Sequence, residues 1–173
     1  MDDRAQTEKM SRCILICAGD LEISEIPERQ EGDLVIAVDG GYLYCKVLGI
    51  EPDVVIGDFD SLEEESREQI GPGRRMISLN PVKDDTDTLA ALRFGLAEGY
   101  REFHLYGALG GRLEHTLANL QCLLFLKKEG ASGYIWDSCS MTTVIENESL
   151  TFRGEMEGML SVFAMGGTAE GVG

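Results

Sequence analysis

The sequence predicts a mixed α/β protein with a mostly parallel sheet, followed by a smaller antiparallel unit. Three observations support this. Short continuous apolar runs recur through about the first 140 residues, and such runs are typical of strands buried on both faces. Helical segments separate most of them, and strand–helix alternation favours a parallel sheet covered on both faces. After about residue 140 only short apolar segments remain, joined by polar and glycine-rich turns.

The predicted strands of the parallel sheet are short and largely apolar. In chain order they are Cys13–Ala18, Leu34–Val38, Asp53–Ile56, Met76–Leu79, Phe103–Tyr106 and Tyr134–Trp136. The predicted helices lie between them, at Tyr42–Leu48, Leu62–Ile70, Thr88–Ala97 and Leu117–Lys128. Gly49 is the expected stop of the first helix. Acidic residues precede the third helix and lysines end the fourth, as the helix dipole favours.

The last part of the sequence predicts strands without helices. They are expected at Met141–Ile145, Ser149–Phe152 and Met159–Ala164. We therefore expect an α/β domain at residues 12–138 and the start of an antiparallel β domain at residues 139–173. Three strands are few for an independently stable sheet, so we expect the sequence to be a truncated form of a longer chain.

Charge and cysteine content exclude several classes of function. Fifteen Lys and Arg oppose 31 Asp and Glu, a net charge of −16. Such a chain repels nucleic acid and anionic membranes, and an anionic substrate would need a divalent cation. Five cysteines without a C-x-x-C pair argue against a disulfide framework or a Cys-rich zinc site. With no signal peptide in Met1–Met10 and no membrane-spanning apolar run, we expect a cytoplasmic location.

Acidic residues follow three predicted strands. Asp39 follows the second strand, Asp58 and Asp60 the third, and Asp84 and Asp87 the fourth. The carboxyl ends of parallel strands share one edge, so we expect these side chains to converge. Two carboxylates about 4 Å apart repel by roughly 4 kcal/mol at an effective dielectric of about 20, so convergence requires a cation. Oxygen ligands without Cys or His select Mg²⁺, although each loop alone is also typical of an ordinary turn.

Two glycine pairs and one arginine suit a phosphate. Gly40–Gly41 and Gly110–Gly111 can expose backbone N–H groups, and Arg112 can bind phosphate through two hydrogen bonds. P-loop, dinucleotide and protein-kinase motifs are missing from the sequence. The pattern therefore predicts a protein of different construction that handles a polyphosphate through its metal. His104 is expected to be a core or edge residue, whereas the position of His115 suits a structural or a functional role equally.

Four motifs together resemble those of thiamine pyrophosphokinases in order and spacing. They are Asp39–Gly41, Gly57–Ser61, Lys83–Asp87 and Gly107–Thr116, within a resemblance that covers about residues 12–173. The resemblance implies an α/β/α sandwich followed by a β-sandwich domain, in a homodimer whose site lies between subunits. The implied reaction transfers a pyrophosphoryl group from ATP to the hydroxyethyl oxygen of thiamine, giving thiamine diphosphate and AMP. Members of the family continue with further strands and a thiamine-binding segment, which also underlies the expected truncation.

The resemblance also implies roles for individual residues. The implied catalytic residues are Asp58, Asp60, Asp87 and Arg112. The implied Mg²⁺ ligands are Asp58, Asp60, Asp84 and Asp87, and either Asp60 or Asp87 would accept the hydroxyl proton. The implied nucleotide-binding residues are Asp39, Gly40, Gly41, Ser61, Lys83, Gly110, Gly111 and Arg112. Glu114, where the family usually has Asp, and His115 would contact thiamine.

Two alternative functions fit the same motifs. A related pyrophosphokinase acting on another hydroxyalkyl heterocycle, such as a pterin alcohol, would share the acidic residues and differ in the second domain. The second alternative is a module that senses a nucleotide or a metal without catalysing a reaction. Such a module would not need all of the acidic residues together with Arg112. Release of AMP from ATP in the presence of Mg²⁺ and thiamine distinguishes the three functions.

Overall fold

The computed structural model of the 173-residue chain describes residues 11–21, 26, 28–58, 75–79, 85–152 and 158–171. Within these residues the strands are β1 (Arg12–Ile16), β2 (Leu34–Val38), β3 (Val54–Gly57), β4 (Arg75–Ser78), β5 (Glu102–Tyr106), β6 (Ser132–Asp137) and β7 (Ser140–Thr143). The helices are α1 (Gly41–Leu48), α2 (Asp87–Ala97) and α3 (Leu113–Lys128). None of the described helices is long and apolar enough to cross a membrane.

The seven strands form one sheet in the order β4-β3-β2-β1-β5-β6-β7. Every neighbouring pair is parallel except β6–β7, which is antiparallel. The chain moves outward from β1 to β4 and then returns to place β5 beside β1. The connections of β1 and β5 therefore leave in opposite directions, which opens a crevice outside their carboxyl ends. The predicted mixed α/β class with a mostly parallel sheet is confirmed.

The sheet separates two hydrophobic cores. In β1, Cys13 and Leu15 belong to the core beneath α2 and α3, whereas Ile14 and Ile16 belong to the core beneath α1. This alternation follows from the two-residue period of a strand. Because helices cover both faces, every position of these strands can be apolar, and this is why continuous apolar runs located them.

Local signals set the helix ends. Gly49 ends α1 at φ 66°, and its N–H donates to Cys45 O and Lys46 O, which confirms the predicted stop. Thr86 caps α2 by accepting a hydrogen bond from Leu89 N at 3.2 Å. Helix α3 begins at Leu113, four residues before the predicted start at Leu117. Its first turn is exposed, and the residues that the helix buries in the core begin only at Asn119, so no buried apolar face marks its start.

The chain after β6 differs from the prediction. Ser140–Thr143 overlaps the predicted strand at Met141–Ile145, but it pairs antiparallel with β6 and so extends the first sheet. The predicted strands at Ser149–Phe152 and Met159–Ala164 are wrong, because those residues form no strand in the structure. A strand needs a ladder partner, and no described residue pairs with either segment. The division of the chain near residue 139 stays a prediction. The predicted helix at Leu62–Ile70 lies outside the described residues.

A buried ion pair joins β1 to the turn before β2. The Asp33 side chain is only 2% exposed and accepts hydrogen bonds from Arg12 Nε at 3.2 Å, Arg12 N at 3.1 Å and Gln30 N at 2.8 Å. Burial alone would raise the pKa of Asp33. The hydrogen bonds and the charge of Arg12 outweigh burial and hold the pKa below its ordinary value of 3.8.

Replacing this buried carboxylate should destabilise the fold strongly. Asp33→Ala leaves the Arg12 guanidinium without its charge partner, so we expect a loss of about 3 kcal/mol in the free energy of unfolding. Urea denaturation at neutral pH measures it. Glu98→Ala is the matched control because Glu98 pairs with Arg75 on the surface, where a pair contributes at most about 1 kcal/mol.

The same pair predicts a pH dependence. Because the folded-state pKa of Asp33 is depressed, its stabilisation is complete above the ordinary value of 3.8 and is lost as the pH falls through the folded-state value. The stability difference between the parent and Asp33→Ala should therefore stay constant between about pH 5 and 7 and narrow below about pH 4. A difference that widened in acid would contradict this assignment.

Candidate active site

The carboxyl ends of four adjacent strands form one edge of the sheet, which we call the carboxyl edge. It carries Asp58 after β3, Asp39–Gly40 after β2, Gly19–Asp20 after β1 and residues 107–112 after β5. Three strand spacings separate β3 from β5, a width of about 14 Å. The topology therefore brings together loops from distant parts of the sequence, and three of the four carry sequence-predicted site residues.

Asp39 and Asp58 follow neighbouring strands. Asp39 N donates to Ile56 O at 2.8 Å, and a Cβ on Gly57 would lie 3.0 Å from Asp39 Cα. Asp39 also adopts a left-handed backbone with φ 47°, which aspartate tolerates better than most residues. Such sparsely populated conformations concentrate at functional sites. The close approach at Gly57 places the chain leading to Asp58 beside Asp39.

Asp87 reaches the same edge as the first residue of α2. The next residue, Thr88, is buried and forms a hydrogen bond with the side chain of Cys17, directly after β1. Burial raises the pKa of Cys17 to about 12, and the bond from Thr88 only partly opposes this. The thiol therefore stays neutral, and this contact fixes the first turn of α2 over the end of β1.

Residues 107–112, the glycine loop, are held through their carbonyl groups. The carbonyls of residues 106 to 110 each accept a hydrogen bond. The donors are, in order, Cys17 N (2.8 Å), Gly19 N (2.7 Å), Asn119 Nδ2 (2.7 Å), Asp20 N (2.9 Å) and Thr116 Oγ1 (3.4 Å). The chain directly after β1 supplies three of these donors, and α3 supplies two. The loop is therefore fixed between a strand and a helix.

Most amide groups of the glycine loop have no hydrogen-bond acceptor among the described residues. Across the described part of the chain, no acceptor receives a hydrogen bond from the N–H groups of residues 108–111. Gly107, Gly110 and Gly111 have φ values of 62°, 79° and 61°, which favour glycine. Successive unpaired N–H groups in such backbone form anion-binding concavities, and the positive end of the α3 dipole follows directly.

Arg112 and Glu114 stand at the end of this loop. Arg112 Nε donates to Glu114 Oε1 at 2.6 Å, and both side chains are exposed. Hydrogen bonding to its own backbone amide, then to Arg112, lowers the pKa of Glu114. Exposed pairs of this kind are weak, so an anionic ligand can displace Glu114 from Arg112. His115, the other predicted substrate contact, is exposed in the same first turn of α3.

His104 has a structural role, as the sequence predicted. It is nearly buried in β5, and its Nδ1 accepts a hydrogen bond from Trp136 Nε1 at 2.9 Å. Its Nε2 lies 2.8 Å from Glu102 Oε1. Nδ1 thus joins β5 to β6, whereas Nε2 is paired within β5. This arrangement leaves neither nitrogen for the carboxyl edge.

The described residues contain only part of the predicted metal site. Asp60, Ser61, Lys83 and Asp84 lie outside them. Among the residues that the structure describes, no group of three or more His, Cys, Asp or Glu side chains could hold a metal ion. Asp58 and Asp87 are the described members of the set, and their carboxylate oxygens are donors of the kind that Mg²⁺ prefers. The available donor chemistry therefore fits Mg²⁺.

The predicted nucleotide-binding glycines differ in what the fold requires of them. Gly41 is buried, and a Cβ there would overlap Ile16 O, so close packing of α1 on β1 already explains this glycine. A Cβ on Gly111 would meet nothing within 4 Å. Its positive φ alone favours glycine there, and its surroundings leave room for a ligand.

Two residues at the edge were missed by the sequence analysis. Asp20 follows β1, and a Cβ on Gly110 would overlap its carboxylate, so Asp20 lies against the glycine loop. Its position after a predicted strand was the signal that could have identified it. Asn119 is a buried polar residue within the apolar part of α3. A single amide in an otherwise apolar helix face was the corresponding signal.

Comparison with known proteins gives a consistent result. A family model described as "Thiamin pyrophosphokinase, catalytic domain" matches residues 28–135. Over 94 residues the chain is 35% identical to the thiamine pyrophosphokinase of Bacillus subtilis (strain 168), which covers 54% of this chain and 44% of that protein. The chain thus spans less than half the length of this relative.

Solved structures share the fold. The crystal structure of a thiamin pyrophosphokinase family protein from Enterococcus faecalis matches with a TM-score of 0.66 and 28% identity, over 76% of this chain and 63% of that one. The thiamine pyrophosphokinase from Bacillus subtilis matches with a TM-score of 0.63 and 29% identity, over 74% and 61%. The chain therefore spans about three fifths of each of these two proteins.

A side chain at Gly19 should disturb the glycine loop. A Cβ there would overlap Leu109 O and lie 2.6 Å from Gly107 O, and neither backbone atom can move freely. We expect Gly19→Ala to lower the free energy of unfolding by about 1–3 kcal/mol, as overpacking does. It should also speed hydrogen exchange of the residue-19 and Asp20 amides that donate to Gly107 O and Leu109 O, which we call loop exchange. Urea denaturation and exchange mass spectrometry measure the two effects.

Gly167→Ala is the control for this prediction, because a Cβ there would meet nothing within 4 Å. It should leave stability and loop exchange unchanged. Parent-like loop exchange in Gly19→Ala would show that the close approach at Gly19 is not needed to hold the glycine loop.

Proposed function

The chain belongs to the thiamin pyrophosphokinase catalytic-domain family, and on that premise we propose that it transfers a pyrophosphoryl group from ATP to thiamine, giving thiamine diphosphate and AMP. The supporting observation is the polarity of the carboxyl edge. Its β2–β3 half carries Asp39 and Asp58, whereas its β5 half carries the open amides of the glycine loop and Arg112. This arrangement suits a polyphosphate bound together with a divalent cation.

We propose that Mg²⁺ is the cation. Asp58 and Asp87 would hold it, together with Asp60 and Asp84 from outside the described residues. When bound, the ion neutralises charge on the phosphate oxygens. A chain with a net charge of −16 needs such neutralisation before an anionic nucleotide can approach the carboxylates.

The glycine loop would bind phosphate oxygens. Its amides donate without adding charge or needing side-chain rearrangement, because the neighbouring carbonyls are already fixed. Arg112 would turn from Glu114 to a phosphate and donate two hydrogen bonds. Asp39 and Gly40 would contact the nucleotide, with Ser61 and Lys83 from outside the described part. Gly41 would contribute mainly by allowing α1 to start close to β1.

The reaction then requires little covalent chemistry from the protein. The hydroxyethyl oxygen of thiamine forms a bond to the β-phosphorus of ATP. The bond from that phosphorus to the α–β bridging oxygen breaks, and AMP leaves with this oxygen. The hydroxyl proton passes to Asp87 or Asp60. Orientation of the two substrates supplies most of the rate enhancement in such transfers. Glu114 and His115 would contact thiamine, within one turn of Arg112.

We also propose a homodimer with the site at the subunit interface. Leu113 and Leu117 are 71% and 52% exposed, and they lie one turn apart on α3, beside Arg112. An exposed apolar pair beside the anion-binding loop suits coverage by a second subunit.

We also propose a cytoplasmic location, which is in keeping with the five free cysteines, four of them buried.

Loss of either described carboxylate should reduce turnover. We expect Asp58→Asn and Asp87→Asn each to lower kcat by at least about 100-fold, the usual effect of removing one preorganised electrostatic contact. Release of AMP from ATP, thiamine and Mg²⁺ is the assay. Glu98→Gln, at the far end of α2, should match the parent. A kcat of Asp58→Asn within threefold of the parent value would contradict the assignment of Asp58 to the site. Release of AMP with a pterin alcohol but not with thiamine would replace thiamine as the proposed substrate.

Nucleotide binding should depend on the cation. We expect ATP to bind at least about tenfold more weakly in excess chelator than in Mg²⁺, because phosphates and carboxylates then repel without neutralisation. Isothermal titration calorimetry without thiamine measures this directly. Equal affinities under the two conditions would contradict the proposed metal-mediated binding.

A further inference from the structure

One buried amide on α3 contacts the glycine loop. Asn119 is 7% exposed, and its Nδ2 donates to Ala108 O at 2.7 Å. Its neighbours on the buried side of the helix include Cys122 and Leu123, which are apolar core residues. A buried amide is unfavourable unless it is hydrogen-bonded, so its place in this helix is explained by the bond to Ala108. Ala108 is itself buried, which keeps water from competing for the bond.

Asn119 supplies a donor where β1 supplies none. Gly19 N and Asp20 N bind the carbonyls of Gly107 and Leu109, one on either side of Ala108. The Ala108 carbonyl lies between these two anchors and is bound from the helix side instead. Without that donor, the central peptide of the loop would have no fixed orientation.

The orientation of this carbonyl also determines the orientation of an amide. Ala108 C=O and Leu109 N–H belong to one planar trans peptide, in which they point in opposite directions. With Ala108 O directed toward Asn119, the Leu109 N–H is directed away from α3. That N–H is among the amides that no described residue accepts. Rotation of this peptide would therefore break the hydrogen bond from Asn119 to Ala108 O. It would at the same time turn the Leu109 N–H toward α3.

We propose that Asn119 is a positioning residue that fixes the Leu109 amide for binding a phosphate oxygen. The proposal rests on the proposed function, since the phosphate is that of the nucleotide. Asn119 does not touch the nucleotide. It acts through the Ala108–Leu109 peptide and presets the loop before ligand arrives.

The central experiment compares Asn119→Leu with the parent. Leucine has nearly the same size and no donor, so the loop should open more often. We therefore expect loop exchange, that of the Gly19 and Asp20 amides that donate to Gly107 O and Leu109 O, to quicken by at least about tenfold in the ligand-free protein. The KM for ATP should rise by about tenfold, while the KM for thiamine stays within threefold. Leu120→Ala, at the adjacent position of α3, is the control for a general loss of stability. It should lower Tm without changing loop exchange or the KM for ATP.

The exchange measurement separates this inference from the proposed function. Parent-like loop exchange in Asn119→Leu would overturn the role of Asn119, whatever the ATP measurement gives. Failure of the parent to bind Mg-ATP would contradict the proposed function, and the exchange comparison would still test the loop. If Asn119→Leu does not fold, Asn119→Ser takes its place, because its hydroxyl is too short to reach Ala108 O. Faster exchange is again the expected result, and unchanged exchange overturns the proposal.

Discussion

The parallel pairing of β1 with β5 is the interaction on which the rest of the structure depends. It joins the two halves of the sheet. It continues beyond β1 through hydrogen bonds from Cys17 N to Tyr106 O, in the last residue of β5, and from Gly19 N to Gly107 O. Because the chain reverses its direction across the sheet at this pair, the loops after β1 and β5 meet outside the carboxyl edge. The same contacts that hold the halves together therefore orient the loop with the open amides.

This constraint gives an acidic chain a way to bind an anion. Side-chain cations are scarce, with 15 Lys and Arg against 31 Asp and Glu. Backbone N–H groups carry no net charge, but they attract phosphate once their direction is fixed. The carbonyls of residues 106–110 are all bound by the protein, so the amides between them do not need to reorganise when a ligand arrives. The carboxylates of the β2–β3 half can then be reserved for a cation.

The sequence predicted most of the fold because both faces of the central strands are buried, as the continuous apolar runs of β1 and β2 indicate. It did not predict that Ser140–Thr143 belongs to the first sheet, since a strand's own period does not specify its partner. Asp39 and Asp58 could be placed at one edge of the sheet from the sequence because each directly follows a strand. An amide on an apolar helix face marks Asn119 as unusual in the sequence, but its role could not be predicted, because its partner at Ala108 is brought to it only by the tertiary structure.

The glycine motifs show why a pattern does not by itself identify a ligand contact. Gly41 and Gly111 belong to similar Gly-Gly pairs, yet different constraints act on them. Packing against Ile16 O requires the first, whereas the second is open on the side where a Cβ would stand and is favoured by its φ of 61°. A glycine that packing requires would stay even if the site were lost. Packing does not require glycine at Gly111, so the glycine loop supports the proposed ligand contacts more directly than the turn before α1 does.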